Sequence, residues 1–354
     1  MRRRVSMVAE RGSALIIVLW TVMLLAFAVA MASSRVALIL EDTSIRSKRF
    51  QAELMADSAF SSIDYIIEQE KKRALDAKSE GKEVEQLLNL ARFNGTWRSQ
   101  PVELENGRFW LELNDEQSKI NWVKTSFFVW RNILTDAGLP SEAIDKWEGA
   151  LKDWQDGDEL QAVVGGAETS DYQKLAEDKR RSKNAPISDM GELFWVMGGP
   201  DIMELTVTAD PNGKAVPLLS LTTIYGDGKI NINTAPATLI SAALGVSLED
   251  AEQQIVQFRR GPDGIGGTTD DAFLSGVPAG VLPDASKVRE SVAAKPGAST
   301  NVITTTTTIF RVRGVGESGN QRVVREALAT KEGNSGLRLL NEPRTVAGYR
   351  VVEE

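Results

Sequence analysis

Between Ser13 and Ser34 the chain carries no ionisable side chain, and Ala14 to Ala32 is an apolar run broken only by Thr21. Roughly 20 apolar residues cross the ~30 Å hydrocarbon core of a bilayer as a helix. Arg2, Arg3, Arg4 and Arg11 all precede the run. Cytoplasmic flanks collect Arg and Lys, so Met1 is expected in the cytoplasm and everything after Arg35 outside. A cleaved secretory signal has a shorter apolar region, about 7–15 residues, and a small-x-small site beyond it. Here the run is longer, and Ala30-Met31-Ala32 is a weak site. Beyond the run, Ala52, Ala56, Ala59, Ile63 and Ile66 keep a helical spacing of four, three, four and three, while Glu41, Asp42, Arg46, Lys48, Arg49, Glu53 and Asp57 mostly occupy other faces. No Pro or Gly interrupts the chain from Ser13 to Gly81. The pattern predicts one continuous helix, lipid-embedded in its first half and amphipathic in its second.

Composition narrows the chemistry. Among 354 residues there is no Cys and no His. Disulfides, thiolate zinc sites, thiol nucleophiles and His-based triads are excluded. Oxygen ligands remain for a metal, which favours Ca²⁺ or Mg²⁺. A net charge of −8 argues against a nucleic-acid protein, whose footprint is usually basic. Ser79-Glu-Gly-Lys82 has the nucleophile–base spacing of some hydrolases. It lies in a charged stretch that cannot bury the Lys and lower its pKa, so it reads as a solvated helix end. No enzyme is expected.

The remainder divides into β and helical regions. Arg108 to Asn114 alternates, with Phe109, Leu111 and Leu113 on one face of a strand. Thr304 to Val312 is β-branched and aromatic, then comes the Gly-rich Gly314 to Asn320, then Arg322 to Ala329: a hairpin signal. Between them, helices are predicted at Ser126 to Ala137, from a cap at Ser141 through Ile144, Trp147 and Leu151, at Pro236 to Leu244 with Asn233 or Thr234 as cap, and at Ser247 to Arg260. Gly261 to Gly267 and Ser291 to Asn301 read as loops.

Two stretches stand out in the helical region. Asp153, Asp156, Asp158 and Glu159 fall within seven residues, and Glu168 and Asp171 follow closely. Such carboxylates repel unless something positive sits between them, and a hard cation would relieve this. The spacing is not that of an EF-hand: with Asp156 first, Gln161 stands where the loop needs Gly. On composition alone, a helix end running into a solvated acidic loop is the alternative. The second stretch, Ile230-Asn-Ile-Asn-Thr-Ala-Pro236, is similar to the opening of helix-hairpin-helix modules, which hold DNA phosphates at a helix N-terminus. This gives the alternative function, a membrane-anchored DNA-binding protein of the competence type. Leu244-Gly245-Val246 supplies a single Gly where such hairpins carry two, and only Arg259 and Arg260 are basic nearby.

The leader carries a resemblance. Arg11-Gly12 directly before the apolar helix resembles a type IV prepilin signal, cut after Gly12 so that Ser13 becomes the N-terminus. Most members of that class carry Glu at the fifth mature position; here it is Ile17. That departure, the length, the acidic Trp154 loop, Lys183-Asn-Ala-Pro-Ile-Ser-Asp-Met-Gly-Glu-Leu193 and Asn233-Thr-Ala-Pro236 together resemble the K-type minor pseudopilins of type II secretion systems.

The resemblance implies an α+β fold: a leader (1–12), a transmembrane helix (13–34), a pilin-like α/β domain that includes the rest of the N-terminal helix (35–114 and 286–354), and an inserted all-α domain (115–285). It implies a single-pass inner-membrane protein with its bulk in the periplasm, acting as a tip or initiation subunit of the pseudopilus. Its partners would be I- and J-type minor pseudopilins, the prepilin peptidase and the inner-membrane secretion platform, with no nucleic acid. It also implies N-methylation at Ser13 and structural calcium, with Asp156, Asp158, Glu168 and Asp171 as candidate ligands.

Overall fold

The computed structural model describes residues 8–79, 97–162, 165–175, 180–264, 272, 274, 302–332 and 336–346. The start of the leader, Glu80 to Lys82, the loops over 265–267 and 291–301, the 285/286 boundary and the C-terminal tail lie outside them. Helix α1 runs from Val8 to Ser61, and α2 from Ile63 to Ser79. The expected single helix is therefore broken at one residue, Ser62. The break is shallow, because Ser62 N–H donates to the Ser58 carbonyl at 3.0 Å and Ile66 N–H to that of Ser62 at 2.9 Å. The hydroxyls of Ser58 and Ser61 bond carbonyls four residues back, a pattern that bends helices. The segment from Ala14 to Ser61 is long and apolar enough to cross a membrane.

From Ala52 onward the helix packs on a sheet. Strands β1 (Trp97–Arg98), β2 (Val102–Leu104) and β3 (Gly107–Asp115) precede the insert; β10 (Ile309–Ser318), β11 (Gln321–Glu332), β12 (Gly336–Leu339) and β13 (Arg344–Thr345) follow it. The order is β1-β3-β10-β11-β12, with β2 also on β3 and β13 also on β11. All these pairs are antiparallel. Phe109, Leu111, Leu113, Phe310, Val312, Ala327 and Ala329 form one core with Ala59, Phe60, Ile63, Ile66 and Ile67.

Gly314 and Gly316 are strand residues within β10, where the sequence reading placed them in a turn. A Cβ on Gly316 would lie 2.1 Å from the Ala52 carbonyl oxygen, and one on Gly314 would lie 2.7 Å from that of Ala56. Their missing side chains let α1 lie directly on the sheet. The turn itself is the two-residue Gly319-Asn320 loop, with Gly319 at φ +56°. Positive φ at the first loop position is the type II′ pattern, which suits the strand twist.

The insert leaves the sheet after Asp115 and returns at Ile309. Its helices are α3 (Phe127–Asp136), α4 (Ser141–Gln155), α5 (Thr169–Tyr172), α6 (Gly199–Met203) and α7 (Ala237–Leu244). A composite helix α8 opens at Leu248–Ala251, widens to a π turn at Glu252–Val256 and ends at Gln257–Arg259. Among the described residues the insert also holds three short strand pairings. β4 (Ile120–Asn121) lies parallel to β7 (Thr222–Thr223), and β8 (Ile230–Asn231) parallel to β9 (Ile303–Thr304). β5 (Thr206–Thr208) lies antiparallel to β6 (Ala215–Pro217). So Thr304, which the sequence assigns to the start of the second β region, pairs with Asn231 of the insert, beside Ile303 on Ile230.

Two halves of the insert repeat one plan. Lys119-Ile120-Asn121 and Lys229-Ile230-Asn231 each open a short parallel strand, a turn, a helix, a Gly break and a second helix. Asn121 Oδ1 accepts from Val123 N–H at 2.8 Å, and Asn231 Oδ1 from Asn233 N–H at 3.0 Å. The core joins both halves, with Trp122 stacked on Trp130 at 3.7 Å and edge-on to Trp147 at 5.8 Å.

The caps differ from expectation at two helices. Pro140 is the N-cap of α4 and Ser141 its first residue; Pro236 is the N-cap of α7. The polar side chains expected to cap α7 are spent on tertiary bonds: Asn233 Nδ2 donates to the Leu274 and Thr305 carbonyls, and the Thr234 hydroxyl to Asp115. Ser247 does cap α8, accepting from Asp250 N–H at 3.0 Å.

Replacing Gly316 with Ala should lower the unfolding free energy by about 1–3 kcal/mol, the usual cost of overpacking, with α1 levered off the sheet. Urea unfolding of the two proteins, followed by tryptophan fluorescence, measures this; equal midpoints would show that the close approach is not required.

Candidate metal centre

Helix α4 ends in an amphipathic turn whose buried edge carries Asp153 and Trp154, both nearly fully buried. The Asp153 carboxylate accepts from Ala162 N–H at 3.0 and 3.2 Å, so it ties the acidic loop back to the helix. A Cβ on Gly166 would lie 2.2 Å from Asp153 Oδ2, which is why the second loop segment can pass so close. Burial is the main cause of the raised Asp153 pKa, with Asp156 and Asp158 adding repulsion.

Asp156 caps the C-terminus of α4 through its N–H to the Lys152 carbonyl at 3.0 Å. Asp158 Oδ1 accepts from Leu160 N–H at 2.8 Å. Glu168 arrives from the other side as the residue before α5. The carboxylates of Asp156, Asp158 and Glu168 each place an oxygen within 4.8 Å of the others. Among the described residues none of the three is in an ion pair. Asp156 and Asp158 are exposed, whereas Glu168 is only 3% exposed. The Asp171 N–H lies toward the Glu168 side chain as half of a capping box, but its close bond, at 2.8 Å, goes to the Glu168 carbonyl, which leaves neither carboxylate oxygen with a close partner among the described residues. Its pKa is pushed up to about 7, first by burial and then by Asp153, Glu159, Asp156 and Asp158. A buried carboxylate without donors is costly, and a hard cation with oxygen ligands satisfies such a group. The three carboxylates therefore fit a calcium-like ion.

Asp171, the fourth candidate, is not part of this trio. Its oxygens accept from Lys174 Nζ at 2.8 Å, Gln161 Nε2 at 2.8 Å and Glu168 N–H at 3.1 Å. The bond from Lys174 is the first cause of its lowered pKa. Asp171 thus holds the loop that presents Glu168.

Two residues outside the expected ligand set shape the site. Asn184 adopts φ +50° and its Nδ2 donates to the Asp158 carbonyl and to Glu159 Oε1, both at 3.1 Å. Lys183 Nζ clasps the Glu192 carboxylate at 2.8 and 2.7 Å and the Pro186 carbonyl at 2.9 Å. The Lys183 to Leu193 string was visible in sequence, but only folding shows that Asn184 braces the acidic loop while Lys183 closes the turn of its own segment onto Glu192. Trp154 and Tyr172 meet edge to face at 5.5 Å behind the site.

The other expected positions are simply placed. Gly12 and Ser13 lie in the backbone of α1, and the Ile17 side chain is exposed on it. The helix start suggested for DNA phosphates is closed: every residue of α7 is buried, and Asn233 and Thr234 are bonded internally. Nothing in this arrangement favours the DNA-binding alternative.

Residues 88–203 match the family model described as type II secretion system (T2SS), protein K. The matched segment is about a third of the chain and runs from ahead of the first strands to the end of α6. It contains the whole acidic loop. A chain in the solved GspK-GspI-GspJ complex of the type 2 secretion system from enterotoxigenic Escherichia coli is also similar, at 16% identity and a TM-score of 0.48, over 79% of this chain and 98% of that one. No curated protein matches the chain.

Glu168 sets a pH signature. Its folded pKa of about 7 lies above the ordinary 4.5, so its contribution favours folding at low pH and is lost as pH rises toward 7 and above. In chelator, stability should therefore fall between about pH 4.5 and 7. Glu168→Gln should flatten that slope. Denaturant melts across this range check it, and an unchanged slope in the variant would assign the effect to other groups.

Proposed function

We propose that the protein is a K-type minor pseudopilin of a type II secretion system, a structural subunit at the tip of the periplasmic pseudopilus rather than an enzyme. The observation that carries this is the match of residues 88–203 to protein K. It sits in a chain in which a long apolar helix packs by its second half on an antiparallel sheet interrupted by a helical insert. The helix anchors the subunit in the inner membrane with its N-terminus in the cytoplasm, as the leader arginines direct. A prepilin peptidase cuts after Gly12, and the Ser13 amine is methylated. Ile17 leaves the subunit without the carboxylate that would neutralise the amine of a subunit ahead of it, which suits a first position. I- and J-type minor pseudopilins are the partners, and the secretion platform is where they assemble.

Calcium belongs to the same reading, held by Asp156, Asp158 and Glu168. The chain has no disulfide to staple its loops, and a metal that binds only the folded form stabilises it by about 2.7 kcal/mol at a hundredfold excess over Kd.

Mass spectrometry of the protein purified from membranes should give an N-terminus at Ser13, fourteen mass units heavier by one methyl group, or about 14 Da. An N-terminus near Ser33 would mean an ordinary signal peptidase and would sink the pilin reading. For the metal, chelator should lower the melting temperature and calcium should restore it better than magnesium, which demands a tighter octahedron. Asp156→Ala should remove that response. Identical melting in chelator and in millimolar calcium would leave the carboxylates as a solvated loop.

A further inference from the structure

The insert and the pilin-like sheet have separate hydrophobic cores: one runs from Ile120 to Val302, and the other joins α1 and α2 to the strands. The chain crosses between them twice, side by side, since Asp115 at the end of β3 pairs with Phe310 at the start of β10. Two adjacent crossings without a shared apolar core describe a hinge. What lies across that hinge is a run of three consecutive polar residues, Asp115, Glu116 and Gln117, at 1%, 0% and 2% exposure.

Each of the three reaches a different part of the structure. Asp115 Oδ2 accepts from Asn231 Nδ2 at 2.7 Å and from the Thr234 hydroxyl at 2.6 Å, while Oδ1 accepts from Gln117 N–H at 2.7 Å. Asn231 Nδ2 also reaches the Thr307 hydroxyl at 3.2 Å. Glu116 takes the Arg311 guanidinium of β10 at 2.5 Å, Lys119 at 3.1 Å and the Thr223 hydroxyl of β7 at 2.5 Å. Gln117 Nε2 donates to Asp227 at 2.8 Å, and its Oε1 accepts the N–H of Thr308 at 2.6 Å and its hydroxyl at 2.8 Å. The sheet, both parallel pairings of the insert and the returning strand all meet at these side chains. Buried polar networks of this kind fix one geometry, because any other leaves desolvated groups unpaired.

We propose that Asp115, Glu116 and Gln117 form a lock that fixes the orientation of the insert on the sheet, so that the two move as one body. Asp115 is the positioning residue, since it is the last residue of β3 in the sheet and its carboxylate accepts from Asn231 and Thr234 of the insert. The lock is a property of the chain alone and does not rest on the assembly reading above.

The polarity of the lock makes it testable. Asp115→Asn is isosteric but turns one acceptor into a donor facing the Asn231 amide. The pair Asp115→Asn with Asn231→Asp reverses donor and acceptor and keeps the net charge. It also leaves the Thr234 and Thr307 hydroxyls able to reverse their roles, because a hydroxyl both donates and accepts. The chain has no Cys, so spin labels at Arg338→Cys on exposed β12 and Asp201→Cys on α6 report the distance between the two bodies in the full chain in detergent. The expected distance distribution is narrow with the native lock, at least twice as wide in Asp115→Asn, and narrow again in the reversed pair. Thr234→Val, which removes one donor, should widen it less; if Asp115→Asn does not fold, this variant decides. A distribution already broad with the native lock overturns the proposal. So does one whose width stays constant while the melting temperature falls, or a reversed pair that stays broad.

Discussion

The whole architecture depends on how closely α1 approaches β10. Ala52 and Ala56 on the helix face Gly314 and Gly316 on the strand, and no larger pair of residues fits where a Cβ would stand 2.1 Å from a carbonyl oxygen. Close approach brings the helix backbone onto the sheet, and the longer side chains on either side then close the core: Phe60, Ile63 and Ile67 beyond it, Val323 beside it. Arg325 reaches the helix at Asp57 from β11, 2.8 Å away, and the Ser318 hydroxyl reaches Gln51 from the far end of β10. The seam fixes the line along which α1 leaves the domain. The exposed stretch before Phe50 can then project as a free helix without its position being left to chance.

The second level of organisation uses the opposite kind of force. Apolar burial is non-directional and proportional to area, so it can hold each core together but cannot choose one rotation of one core against the other. Hydrogen bonds are directional, and buried ones are expensive to misplace. The neck between sheet and insert is built from them. Arg311 shows how the cost is contained: it touches Glu116 and Glu326 at once, and Glu116 is driven down to about 2 despite its burial because Arg311, Lys119 and Thr223 all favour its charged form. Glu116 lies under the sheet end as a fully paired charge, where an unpaired one would be strongly destabilising.

The parts legible in the sequence were those set by local pattern. The apolar run, the helical spacing from Ala52 to Ile66, the alternation in β3 and the Gly245 break with its Ser247 cap all follow from side chains within one turn or one strand. The parts that misled were those where a local signal had been overruled by a distant partner. Gly314 and Gly316 look like turn residues, yet they are strand residues emptied to make room for α1. Asn233 and Thr234 look like caps, yet Asp115 and the carbonyls of Leu274 and Thr305 claim them. Thr305 to Thr308 looks like strand, yet its backbone and hydroxyls feed Gln117 and Asn231. The repeated Lys-Ile-Asn at 119–121 and 229–231 was a usable signal of two matching halves, since the Asn in each turns back to bond the N–H two residues on.

In the acidic loop the carboxylates divide their labour, which composition could not reveal. Asp153, Glu159 and Asp171 are all spoken for, by Ala162 N–H, by Thr169 and Asn184, and by Lys174 and Gln161. They build the loop. Among the described residues the Glu168 carboxylate has no such engagement, and Asp156 and Asp158 stand beside it without an ion pair. A loop meant only to be solvated would spread its carboxylates outward, because repulsion falls with distance and with dielectric. Here three of them are converged by the other three, one at the expense of full burial. The chain has no imidazole or thiolate with which to hold a softer ion, so two things can relieve that convergence: a proton on Glu168, whose pKa is pushed up to about 7, or a hard cation that takes oxygen.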